Sequence, residues 1–80
     1  MKLELLKGSF SKADALDILT KMVHIKIHYH ENKIDANQTE EDVKMRENRI
    51  KQLQQEFFEA RKQLLSGAEQ CSLHADVLIS

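Results

Sequence analysis

VHIKIHYHEN, Val23 to Asn32, alternates apolar and polar residues, with Val23, Ile25, Ile27 and Tyr29 on one parity and His24, Lys26, His28 and His30 on the other. Alone it reads as a strand with one face lined by histidines. Its flanks decide otherwise, because the period of the apolar residues over a longer window is the primary signal of secondary structure. Ala15-Leu16, Ile18-Leu19 and Met22-Val23 are adjacent apolar pairs that a two-residue period does not explain. At about 100° per residue, Ala15, Leu16, Ile18, Leu19, Met22, Val23, Ile25, Ile27, Tyr29, Ile34 and Ala36 fall in one arc of roughly 200°. Asp14, Asp17, Thr20, Lys21, His24, His28, Glu31 and Asp35 fill the rest. The stretch is therefore expected in a helix whose wide apolar face imitates alternation locally. Lys26, His30 and Lys33 are the polar residues inside that arc; a lysine can lay its methylenes on apolar surface and keep its ammonium wet.

Proline is absent and the only glycines are Gly8 and Gly67, so the strongest punctuators lie near the ends. Ser11 with Asp14 three residues on marks one helix start, and Thr39 followed by Glu40, Glu41 and Asp42 marks another. The expected outline is an extended segment over 1–10, helix one over 11–36, a break at Asn37 and Gln38, helix two over 39–66, and a tail over 68–80 that is a short helix or a strand. In helix two, Val43, Ile50, Phe57 and Leu64 recur at seven-residue steps, with Leu53 and Ala60 at the complementary position and Arg46 at the first such position. That is the narrow seam of a helix packing along another helix, as in a coiled coil, with Val43, Ile50, Leu53, Phe57 and Leu64 as the hairpin core. Gly67 suits a helix end, yet Cys71 and Leu78 continue the seven-step series, so a helix running on through Gly67 at about 1 kcal/mol is the alternative. MKLELL at the N-terminus and DVLIS at the C-terminus each read as a short strand, paired with one another or, for MKLELL, with a second copy of itself.

Composition sets the scale. Eighty residues, 41% of them hydrophobic, suffice for one small domain, and a chain this short buries only about 60% of its unfolded surface. Such chains lean on disulfides, metals or oligomerisation. Cys71 has no partner within the chain, which fits a reducing compartment. No apolar run has the length of a signal peptide or a membrane span, so a soluble, cytoplasmic protein is expected, with no membrane partner. Twelve basic and thirteen acidic residues leave a formal net charge of −1, and aromatics are 5% with no Trp, which argues against nucleic acid as a partner.

These observations predict an all-α fold: an antiparallel two-helix hairpin with an extended N-terminal segment. Helix one offers a wide apolar arc and helix two only a narrow seam, so a lone hairpin leaves much of helix one wet. A homodimer closing into a four-helix bundle covers it, with Leu19, Val23, Ile27, His30 and Ile34 at the interface; an unidentified protein partner is the alternative. Gly8-Ser9-Phe10-Ser11 leading into Ala15, Ile18-Leu19 and Lys26-Ile27-His28-Tyr29-His30 resembles the first half of certain small uncharacterised bacterial proteins built from helical pairs. The resemblance covers residues 8–34 and implies helix; it brings no activity.

Four groups invite chemistry. His24, His28 and Glu31 at i, i+4 and i+7 align three candidate Zn²⁺ ligands within about 60° on a helix, with His74 as a further ligand reaching over; the same three residues also make an ordinary solvent face. His30 projects among Leu19, Val23, Ile27 and Ile34, which makes it either a pH-sensitive or ligand-contacting residue at an interface or a packed histidine with a hydrogen-bond partner. Arg46 and Arg61, on or beside the seam of helix two, suit a phosphate or carboxylate, or else flanking ion pairs. Cys71 is either a reactive thiol or a small half-buried side chain. No glycine-rich phosphate loop, paired-cysteine motif or nucleophile elbow is present. The expected function is a non-enzymatic interaction or regulatory module that self-associates through helix one and needs no cofactor. The alternative is a small metal-binding protein built on His24, His28 and Glu31.

Overall fold

The computed structural model describes residues 1–35 and 38–80; the predicted end of helix one at Ala36 and the break at Asn37 lie outside them. The element order is β1 (Lys2–Ser11), α1 (Lys12–Lys33), α2 (Glu40–Ser66) and β2 (Gln70–Leu78). VHIKIHYHEN lies wholly within α1. Ser11 caps α1, its side chain accepting from the Asp14 amide, and Thr39 caps α2 by accepting from the Asp42 amide. Each satisfies an amide that the first helical turn leaves without an intrahelical acceptor. Glu40, Glu41 and Asp42 add negative charge where the dipole of α2 favours it.

α1 and α2 pack side by side in opposite directions. Lys12 at the start of α1 reaches the end of α2, its Nζ donating to the Leu65 carbonyl at 3.2 Å. α2 has no basic residue in its own last turn, so Lys12 supplies the positive charge that helix end favours. Val43, Ile50, Leu53, Phe57 and Leu64 are half-buried along α2, as are Leu19, Val23, Ile27, His30 and Ile34 along α1.

The all-α expectation is overturned by the two ends of the chain, which pair antiparallel in a two-stranded sheet from Lys2↔Leu78 to Ser11↔Gln70. Reciprocal bonds between Met1 and Ile79 extend one end of the ladder, and the Lys12 amide donates to the Glu69 carbonyl at 2.8 Å at the other. The fold is α+β. Residues 70–78 are neither a helical continuation of the Cys71 and Leu78 series nor a loose tail, because Cys71, Leu73, Ala75 and Val77 alternate strictly with Ser72, His74 and Asp76. A two-residue period buries one side of a strand and would scatter apolar residues around a helix. The hairpin, coiled-coil and four-helix-bundle architecture goes with it, since part of the helices' apolar surface is taken by strands: Leu19 of α1 and Ala60 and Leu64 of α2 line one open pocket with Cys71 and Leu73 of β2.

A bulge sets the face of β1. The register slips between Glu4 and Leu6, leaving Leu5 as the extra residue. Leu3 then stands opposite Val77 and Leu6 opposite Ala75, so two leucines an odd number apart share one face with Phe10, Cys71 and Leu73. Gly8, opposite Leu73, takes φ 141°, a conformation that a side chain disfavours. The other face, with Glu4, Lys7, Ser9, Ser72, His74 and Asp76, is exposed.

Ala15 is the one fully buried residue among those described. The radius of gyration is 15.3 Å, where a compact chain of this length has about 12 Å. The molecule is a thin slab, 46 × 33 × 14 Å.

Candidate functional site

Two surfaces stand out, one polar and one apolar, and both involve the second half of α1. The polar one lies where that half meets the first half of α2. Because the helices are antiparallel, His30 comes to Arg46, and Arg46 Nη1 lies 3.1 Å from His30 Nδ1. A guanidinium has only donors, so His30 Nδ1 accepts and the imidazole proton sits on Nε2. That Nε2 is shielded from solvent and has no hydrogen-bond partner among the described residues. Lys26, Asn48, Arg49 and Gln52 join these two residues, with Met45, around an open groove of about 420 Å³. Partial burial, followed by the charges of Lys26, Arg46 and Arg49, holds His30 below its ordinary value of 6.5. Tyr29 stands at the border of this groove, its ring edge-on to His30, with the Lys26 ammonium 5.2 Å and the Arg46 guanidinium 5.8 Å from the ring centroid.

The apolar surface lies beside it. Leu5, Met22, Ile25 and Tyr29 line an open groove between β1 and α1 with the Lys26 stem. Ile25 is 71% exposed, and Leu5 and Tyr29 are each 49% exposed. The apolar arc of α1 is thus divided: the His30 side lies against α2, while the Ile25 and Tyr29 side has no cover among the described residues.

The residues predicted at sites are dispersed. His24, His28 and Glu31 are exposed on α1. The described residues that bring three potential metal-ligand atoms within 4.8 Å of one another are instead Glu4, His74 and Asp76, on the exposed face of the sheet. Glu4 and Asp76 are directly opposed in the ladder, a like-charge pairing that needs compensation. Lys7 stands 3.5 Å from Glu4, Lys2 3.5 Å from Asp76, and His74 Nε2 3.1 Å from Asp76. The lysines already supply the countercharge a cation would bring, so the cluster is a balanced surface network. Arg61 is exposed and apart from Arg46, and Cys71 is half-buried opposite Phe10. No helix among the described residues is long and apolar enough to cross a membrane.

Sequence reasoning marked His30 and Arg46 separately and missed that Lys26 and Arg49 complete a set with them. The available signal was the antiparallel pairing itself, which places residues before the loop against residues after it. No family model matches this chain, and no curated protein or solved structure is significantly similar to it.

Proposed function

We propose that this chain is a non-enzymatic interaction module that self-associates as a homodimer, with two copies closing over the Leu5, Met22, Ile25 and Tyr29 surface. The surface area carries the reading. A compact chain of 9.3 kDa exposes about 5,000 Å², whereas this one exposes 6334 Å². The excess of roughly 1,300 Å² is about what each partner of an obligate dimer buries. Leu3 at 43% and Val77 at 40% exposure extend the same apolar side along the sheet. A second copy of the chain supplies the missing apolar cover symmetrically, each surface meeting its own equivalent.

Ile25→Asp tests this, because a buried carboxylate without a partner is costly in an interface and costs nothing at a site that stays wet. Light scattering on the eluting protein is expected to give a dimer for the parent chain and a monomer of reduced helical content for the variant. An unchanged folded dimer would place the interface elsewhere. A parent chain that is monomeric on its own and assembles only with zinc would favour the metal-binding reading, with His24, His28 and Glu31 as ligands.

A further inference from the structure

We propose that the groove between the second half of α1 and the first half of α2 binds a phosphate group, held by Arg46, Arg49 and Lys26. Its residues all belong to one chain, so the site does not depend on self-association. No carboxylate lines the groove; Lys26 and His30 face it from α1, and Arg46 and Arg49, with Asn48 and Gln52, from α2. Lys2, Lys7, Lys12, Lys21 and Lys44 each stand within 4.0 Å of a carboxylate, as expected for a chain with slightly more acidic than basic residues. Lys26, Arg46 and Arg49 do not, among the described residues, and neither do Lys33, Lys51, Arg61 and Lys62; what sets the three apart is that they line one groove. Arg46 commits one N–H to His30 Nδ1 and Arg49 one to Gln52 Oε1 at 2.8 Å, leaving the other guanidinium hydrogens for a ligand.

The His30 contact is the second, independent observation. By donating to Nδ1 at 3.1 Å, Arg46 has its guanidinium held in place on the groove wall. An oxyanion answers all of these demands together. Three fixed positive charges match a phosphate dianion better than a carboxylate with a single charge, and donors from two helices suit a tetrahedral group with many lone pairs better than a planar fork.

The test is a titration of the folded chain with inorganic phosphate at constant ionic strength, following the His30 ring resonances by NMR, with sodium acetate in parallel. The expected result is a saturable shift with phosphate and a much smaller one with acetate. Arg49→Gln should weaken phosphate binding about tenfold or more, the loss of one charge-assisted bond. Lys51→Gln, on the opposite side of α2, should leave it unchanged. Bound phosphate should also raise the His30 titration midpoint, reversing the effect of the surrounding cations. Phosphoserine as a second probe separates the sources: tighter binding than inorganic phosphate assigns the site to a phosphate ester, and weaker binding to the free anion. No saturable shift, an equal response to acetate, or an unchanged affinity in Arg49→Gln would overturn the proposal.

Discussion

His30 is held neutral by what surrounds it, partial burial first and then Lys26, Arg46 and Arg49, all of which disfavour a second proton on the ring. Its pKa in the folded chain lies below the value of 6.5 that the unfolded chain approaches. Between those two values the unfolded chain binds more protons, so stability rises with pH through that window. The contribution is fully present above 6.5 and is lost as pH falls toward the folded value. The melting temperature should therefore drop as pH falls below 6.5, and His30→Gln should flatten that part of the profile; an identical slope in the variant would show that His30 is not responsible. A sequence could mark His30 as a polar residue in an apolar arc. It could not show that the occupant of the facing position is a guanidinium, which is what turns a packed histidine into a cationic pocket wall.

The same local pattern, alternation, occurs twice in this chain with opposite outcomes. In Val23–His30 it is a by-product of a wide helical face and its flanks betray it; in Cys71–Val77 it is the strand itself, bounded by Gly67 and the end of the chain. The C-terminal signal was legible to the same counting, and was obscured because Cys71 and Leu78 also happen to fit the seven-residue series of α2. The helix starts are written locally, since Ser11 and Thr39 use short side chains to satisfy one amide each. Replacing either by Ala should cost about 1 kcal/mol in urea unfolding. The bulge at Leu5 was not legible, because MKLELL supports either parity and only pairing with β2 selects one. Gly8 gives an element-scale test: a methyl group there meets nothing within 4 Å, so any cost of Gly8→Ala is conformational. The backbone at φ 141° makes that cost about 1–3 kcal/mol, and a neutral substitution would mean the strand can relax around it.

At the scale of the whole molecule, the thin slab is the feature that asks for a partner. With Ala15 as the one fully buried residue described and 6334 Å² in contact with solvent, the chain lacks the core that ordinarily stabilises a domain of this length. The sequence carried the mismatch between a broad apolar helix and a narrow one, but it did not show that β1 and β2 take part of that breadth and leave Ile25, Tyr29 and Leu5 uncovered. The partition depends on where the ends of the chain come to rest, 61 to 78 residues apart in sequence for the contacts that fix them. The proposed dimer should also lose stability on dilution, because dissociation re-exposes the apolar surface it covers. Sedimentation equilibrium of the unmodified chain, in chelator and again with added zinc, decides whether the chain pairs with itself. The proposed dimer has twice the chain mass of 9.3 kDa in both conditions; a well-folded species at the single-chain mass in both would rule it out.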